Sequence, residues 1–294
     1  YRRPVGLLSP DFQTPMKGNM LWVYEGLTDY LSDVLTARTG LWTDEQYREA
    51  LANSAANLNY RPGRTWRDLQ DTATDAQNLY EASRQWSSWR RGTDFYPEGE
   101  LLWLDVDTTI RQLSHGRRSL NDFAARFLGL GGNTGPITVP YTFADIVSNL
   151  NAVQPYDWAS FLTERLTTKV DHAPMGGIEH GGYQLVYTDT PNSMMEAAEA
   201  VYTNSMMAAT QPAGGVNAWY SLGLQIGGDG SLGDVLFYSP AYKAGLGPGM
   251  RIVAVNGRQY TNDLMHDAIR NSRNTEAPIE LIVENTGYYR VVKI

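Results

Sequence analysis

The sequence predicts a multidomain chain. A mainly α-helical domain over residues 1–174 is followed by a small β-rich domain over 175–294, with the boundary within 175–215. Three observations predict this. From about Met20 to Leu166 apolar residues recur at helical spacing. After Pro174 clustered glycines give way to alternating, strand-like residues. Toward the end, short strands with one late helix suit a small, partly open barrel. With 294 residues and 42% hydrophobic residues, the chain can bury a core without disulfides.

The first helix is expected over "LWVYEGLTDYLSDVLTAR", ending near Gly40. Its apolar stripe is Val23, Leu27, Tyr30, Leu31 and Val34, and Glu25 falls on the other side with Leu21, Trp22, Asp29 and Ser32. A glutamate on such a face is ordinarily a solvated carboxylate. Two neighbours speak for a pocket wall instead. Gly26 costs roughly 1 kcal/mol against alanine inside a helix, so something should approach its backbone closely. Leu21 and Trp22 put large apolar groups beside Glu25.

"TDEQYREALANSAANL" follows, with Thr43 as N-cap and Gln46 at the capping-box spacing. "TWRDLQDTATDAQNLYEASRQW" is a polar-rich helix or pair of helices, then come "GELLWLDVDTTIRQL", "SLNDFAARFLGL" capped by Ser119 and "TFADIVSNLNAV" capped by Thr142. Antiparallel helices with short loops are the simplest arrangement. In the second part "SMMAATQPAGGVNA" reads as a linker or insertion. The strands "AWYSLGLQI" and "GDVLFYSPAYKAGLGPGMRIVAVNGRQY", the helix "NDLMHDAIRNSR" and the strands "PIELIVE" and "YYRVVKI" complete it.

Composition excludes several functions. A net charge of −8 and a pI of about 5.0 speak against nucleic acid as a partner. No apolar run reaches the ~20 residues of a membrane span, so a soluble protein is expected, periplasmic or cytoplasmic. Cysteine is absent, which removes disulfides, thiolate zinc sites and cysteine nucleophiles together. The sequence starts at Tyr1 and not at methionine, so residues upstream are expected.

"SPAYKAGLGPGMRIVAVNGR", residues 239–258, resembles the PDZ segment in which a Pro-Ala turn leads through Gly245-Leu246 and Gly249-Met250 to a strand ending at Asn256-Gly257. "SLGL", residues 221–224, stands where PDZ domains hold a peptide's terminal carboxylate. The resemblance implies a groove involving Leu222, Gly223, Leu224, Ile226 and His266, in which a protein C-terminus adds a strand beside Leu224–Ile226. A PDZ fold that serves only as a packing module is the alternative.

"LWVYEGLTDY" resembles the helix with which zinc aminopeptidases of the gluzincin type supply their third metal ligand, in the helical half of a thermolysin-like peptidase. With a C-terminal PDZ-like segment, and with "PGRTWRDLQDTATDAQNLY", "YPEGELLWLDVDTTIR", "LNAVQPYDWASFL" and "GGYQLVYTDTP" in order, the chain is similar to the glycyl aminopeptidase family. The resemblance implies that Glu25 coordinates zinc beside two imidazoles. It implies that the Tyr96 hydroxyl in "YPEG" steadies a tetrahedral oxyanion, for which a neutral phenol is suited. Asp29, a turn beyond Glu25, would orient a ligand, or else is a solvated carboxylate. Glu98 and Glu100 are candidates for the substrate's α-amine.

The departure from that family is the motif HExxH, which is absent. The four histidines His115, His172, His180 and His266 do not have its spacing and read as surface or loop residues. The chain is expected to be the C-terminal half of a longer enzyme that removes small N-terminal residues, Gly or Ala, from peptides. Zinc belongs to the intact enzyme, and this half, without its upstream partner, should bind none and be inactive. A noncatalytic helical and PDZ scaffold that recruits proteins is the other reading.

Overall fold

The computed structural model describes residues 1–80, 85–129, 137–202, 214–273, 275 and 277–294. The expected linker therefore lies largely outside the described residues, at 205–213, and its last three residues are corrected: Val216–Ala218 form a strand paired in a sheet. The chain forms two compact units. The first comprises Tyr1–Asn59, Arg64–Ala82 and Arg91–Asp189, the second Tyr60–Gly63, Ser83–Arg90 and Thr190–Ile294. A single cut between 175 and 215 does not describe this division, because two short pieces from the helical stretch join the second unit.

The chain opens with β1 (Arg2–Pro4), a 3-10 turn, α1 (Leu21–Tyr24), α2 (Gly26–Arg38), α3 (Asp44–Asn59), α4 (Leu69–Thr74), α5 (Ala76–Tyr80) and α6 (Ser87–Arg90). α7 (Pro97–Leu113), α8 (Leu120–Leu128), β2 (Val139–Tyr141), α9 (Phe143–Val153), α10 (Trp158–Thr167) and α11 (Gly176–His180) follow. β1 and β2 pair in parallel. Caps start the helices where expected. The Thr43 hydroxyl accepts from the Gln46 amide at 3.1 Å while Thr43 N donates to Gln46 Oε1 at 2.9 Å, and Ser119 and Thr142 each form a capping box with an aspartate three residues on.

α7 is the central helix of the first unit. Leu101, Leu102, Trp103, Val106 and Ile110 are buried, and so are Glu98, Glu100, Asp105 and Asp107. Buried carboxylates need partners, and each has them. Glu98 meets the guanidiniums of Arg64 and Arg91. Asp105 takes Arg165 at 2.6 Å. Asp107 accepts from the Tyr30 hydroxyl at 2.8 Å, Arg111 at 2.9 Å and the Leu120 amide at 2.6 Å.

Trp22 corrects the helical-wheel reading. It is completely buried, stacks on Trp103 at 5.9 Å, and its carbonyl accepts from Trp103 Nε1 at 3.1 Å. The wheel assumed one continuous helix, whereas the helix is broken at Glu25 (φ −98°, ψ −50°) and its first turn is a separate element.

The second unit contains α12 (Ser193–Tyr202), β3 (Val216–Ala218), β4 (Leu224–Ile226), β5 (Leu232–Val235), α13 (Pro240–Lys243), β6 (Arg251–Val255), β7 (Arg258–Gln259), α14 (Asn262–Ser272), β8 (Glu280–Asn285) and β9 (Tyr288–Lys293). Its strands form sheets of order β3-β4-β5 and β7-β6-β8-β9, antiparallel throughout. Their inner faces share a core with Met265 and Ala268 of α14. Among the described residues no helix is long and apolar enough to cross a membrane.

Candidate functional site

The site grows from a crossing of two backbones in the first unit. A Cβ on Gly26 would lie 2.6 Å from Gly99 Cα, and one on Gly99 would lie 2.8 Å from Gly26 Cα. Only glycine at both positions lets α2 and α7 approach so closely. The close approach anticipated at Gly26 is thus present, and the backbone it meets belongs to "YPEG".

This crossing brings the residues flanking the two glycines together. The Tyr96 hydroxyl is hydrogen-bonded to the Glu25 carboxylate. Tyr96 is the N-cap residue of α7, with Pro97 at the first helical position, where its fixed φ and missing N–H fit. Its ring lies 4.8 Å from that of Phe95, which is completely buried. Both Glu25 and Tyr96 are half-buried. Burial raises the Glu25 pKa, and the hydrogen bond from Tyr96 opposes that rise.

Glu25 also begins a stripe of acids. Asp29 and Asp33 follow at intervals of four on α2, and Glu100 of α7 faces them. Burial, then the charges of Asp33 and Glu25, push Asp29 up to about 6. Burial, then Asp33 by charge and hydrogen bond, pushes Glu100 up to about 8, while Ser54 hydrogen-bonds to it in the opposite sense. Burial raises Asp33 as well. At neutral pH Glu100 therefore keeps its proton and can donate it in the hydrogen bond to Asp33. Glu25, Asp29 and Glu100 stand out in the sequence and Asp33 does not, although the four-residue spacing of like charges is a signal for it.

Glu98 is corrected. Its carboxylate is 1% exposed and held between Arg64 and Arg91, so it has no face for a substrate amine. Arg91 in turn bonds Asp94 at 2.8 Å, and Arg67 bonds Asp71 and Asp75 at 2.7 Å each.

The four histidines are exposed. His172 Nδ1 lies 3.1 Å from the Ala173 carbonyl, and His180 Nδ1 lies 3.2 Å from Asp105. Among the described residues no three His, Cys, Asp or Glu side chains stand where they could together hold a metal ion. Glu25 offers one carboxylate, and this chain's residues do not by themselves fit a zinc site.

The expected peptide groove of the second unit is also corrected. β4 lies between β3 and β5, with Val216 opposite Ile226, Ala218 opposite Leu224 and Leu224 opposite Val235, so both of its edges are paired. The carboxylate loop is engaged as well: the Ala218 carbonyl accepts from Leu222 N at 3.0 Å and Gly223 N at 2.9 Å. Gly223, at φ +77°, turns the chain into β4. Val216 and Ala218 are buried in one cluster with Leu224, Ile226, Met265 and Ala268. Leu222 packs partly buried at its margin, while His266 is exposed. The chain's own hairpin takes the place expected for a ligand.

Comparison with known proteins bears on the first part by sequence and on the whole chain by fold. Residues 1–102 match the family model of the M61 glycyl aminopeptidases. The fold resembles the crystal structure of an aminopeptidase N family protein from Idiomarina loihiensis, with a TM-score of 0.74 and 18% sequence identity over 99% of this chain and 47% of that one. The chain thus spans about half the length of that protein. No curated protein matches it.

Proposed function

We propose that this chain is the C-terminal part of a zinc-dependent aminopeptidase that removes small N-terminal residues, Gly or Ala, from peptides. The observation that carries this reading is the Tyr96–Glu25 hydrogen bond at a backbone crossing that only two glycines permit. It joins an acceptor suited to a metal with a donor suited to an oxyanion, and the M61 match covers both residues and the crossing.

In this reading Glu25 is one metal ligand, and the remaining ligands come from residues outside this chain. The metal, when bound, supplies Lewis-acid activation of the peptide carbonyl or of water. What this chain contributes is positional. Tyr96 holds a neutral O–H where negative charge grows on the carbonyl oxygen, and Glu25 keeps that hydroxyl aimed until substrate arrives. Asp29, half-buried and one turn away, gives an anionic wall suited to the free α-amine. Glu100 acts behind it through Asp33 and not on substrate.

The second unit is read as a PDZ-like packing module. Its order of strands and helices and the segment at 239–258 support that resemblance, and the filled groove favours packing over recruitment. The test is expression of the chain together with the coding sequence upstream of Tyr1. Release of glycine from a glycyl peptide, lost on chelation and regained with zinc, is the expected result. An intact protein without aminopeptidase activity would leave the scaffold reading.

A further inference from the structure

β1 carries two consecutive arginines, and the alternation of a strand sends them to opposite faces. Its parallel pairing with β2 sets Arg2 opposite Val139 and Arg3 opposite Pro140. The Arg2 guanidinium lies over the rings of Phe127 and Tyr141, at 4.3 and 5.6 Å, and the charge of Asp145 acts on it. Packing accounts for Arg2. Arg3 turns the other way, toward α1, and its guanidinium lies 5.7 Å over the ring of Tyr24, the residue before Glu25.

Arg3 is held in place without an acid. Its Nε donates to the Leu7 carbonyl at 3.1 Å, its NH1 donates to the Tyr1 hydroxyl at 3.0 Å, and its NH2 approaches the Met16 sulfur at 3.9 Å. No carboxylate among the described residues forms an ion pair with it. A guanidinium is a rigid fork of N–H donors matched to a carboxylate, and here neutral acceptors fix the fork while its charge goes unanswered. The fork is tied to the site. The Tyr1 hydroxyl that it meets is hydrogen-bonded to the Tyr24 hydroxyl, and both phenols feel the charge of the Glu25 carboxylate. Arg3, Tyr24 and Glu25 are each half-buried, so all three keep a face toward the outside. Glu25 thus has unlike surroundings on its two sides along the chain. Asp29 and Asp33 follow it on α2, one and two helical turns on. Tyr24 precedes it and leads to the cation of Arg3. The acids suit a free ammonium and the guanidinium a free carboxylate. A ligand that meets both carries its two charges close together. Each residue of an extended peptide spans at most about 3.3–3.6 Å, and a helical turn rises about 5.4 Å, so a dipeptide fits this spacing and a long chain does not.

We propose that Arg3 is a specificity-determining residue: steadied by Tyr1 and Tyr24, it receives the free carboxylate of a dipeptide whose ammonium faces Asp29. Cleavage of that dipeptide rests on the aminopeptidase reading given above, whereas recognition of its carboxylate does not.

The experiment compares glycyl-leucine with glycyl-leucinamide, which differ in the charge at the C-terminal end. In the reading above the site is completed by residues outside this chain, so the full-length protein is used. Its kcat/KM should be about tenfold higher for the free acid, the size of one charge-assisted hydrogen bond, and the difference should lie in KM. Arg3→Gln should lower kcat/KM for glycyl-leucine about tenfold and leave glycyl-leucinamide within about twofold. Arg3→Lys keeps the charge without the fork and should retain part of the preference. With the metal chelated and cleavage stopped, calorimetry should find the same preference, and the same dependence on Arg3, in the dissociation constants. A wild type that cleaves and binds both compounds equally overturns the carboxylate site and leaves the aminopeptidase reading standing, whatever the variants do. Equal losses for both compounds in Arg3→Gln and Arg3→Lys overturn it too, since Arg3 would then only support Tyr24. A protein that binds glycyl-leucine more tightly through Arg3 yet cleaves neither compound keeps the carboxylate site and removes the aminopeptidase reading. One that neither cleaves nor discriminates removes both.

Discussion

The Tyr96 hydroxyl is hydrogen-bonded to the Glu25 carboxylate, across 71 positions of sequence. The contact exists because Gly26 and Gly99, each close along the chain to one partner, meet backbone to backbone. The hydroxyl has one proton to donate, so its hydrogen bond passes from the carboxylate to a carbonyl oxygen as charge develops there. Tyr96→Phe in the intact protein should therefore lower kcat by about 10²–10³, equivalent to about 2.7–4 kcal/mol, with KM and zinc content little changed. Steady-state kinetics on a glycyl peptide checks this, and unaltered kcat removes Tyr96 from the reaction.

Gly99→Ala tests the crossing itself. Alanine gains roughly 1 kcal/mol of helix propensity. Its Cβ would meet Gly26 Cα at 2.8 Å and the Trp22 carbonyl at 3.3 Å, backbone atoms that move only with the helix. Overpacking of this kind costs about 1–3 kcal/mol and should outweigh the propensity, giving a lower urea midpoint. Gly92, where a Cβ meets nothing within 4 Å, is the control, and Gly92→Ala should leave the midpoint unchanged or slightly raised. Equal midpoints for the two variants would contradict the close crossing.

The close approach at Gly26 was legible because glycine inside a helix is costly without a reason. What lies opposite it was not, since Gly99 is distant in sequence and nothing local marks it. The capping boxes were legible for the opposite reason: a helix start is written within four residues. Trp22 was misplaced because a wheel cannot show that the helix breaks at Glu25. The groove was misread because Val216–Ala218 reads as the end of a linker and is instead β3; only pairing reveals that it fills the space beside β4. Glu98 looked available because its two arginines lie 34 and 7 residues away.

Glu100 gives stability an unusual dependence on pH. Its pKa rises on folding from about 4.5 to about 8, so between those values the folded state binds more protons than the unfolded one. Stability contributed by the protonated form is present below the unfolded pKa and is lost as pH rises through the folded value. Asp29, raised to about 6, acts in the same direction at lower pH. The thermal midpoint should therefore be higher at pH 5.5 than at pH 8.5, and Glu100→Gln, which keeps a donor without a charge to bury, should flatten this difference. Melts of the two proteins at both pH values test it; an equal slope in Glu100→Gln would exclude Glu100 as its source.

The hairpin beside β4 predicts that free C-terminal peptides find no place in the second unit. A library of such peptides titrated against the whole chain should give no saturable binding, because displacing β3 would expose Val216 and Ala218 and leave the Ala218 carbonyl without its two closest donors. Binding that competes with the β3–β4 pairing, seen as loss of amide protection at Leu224 and Ile226, would restore the groove.

The role of Glu25 is decided by comparing the chain alone with the intact protein. One half-buried carboxylate already bonded to Tyr96 gives no chelate, so the chain alone should retain no zinc after dialysis. In the intact protein Glu25→Gln replaces an anionic ligand by a neutral amide of the same shape, and both zinc occupancy and aminopeptidase activity should fall. Tyr96→Phe separates the two roles that meet at this hydrogen bond. It leaves the carboxylate in place, so zinc should be retained while turnover is lost. If Glu25→Gln keeps full zinc and loses turnover to the same extent as Tyr96→Phe, Glu25 serves only to aim the tyrosine. If it keeps both zinc and turnover, Glu25 is a structural acceptor for Tyr96 and the metal is held entirely by other residues.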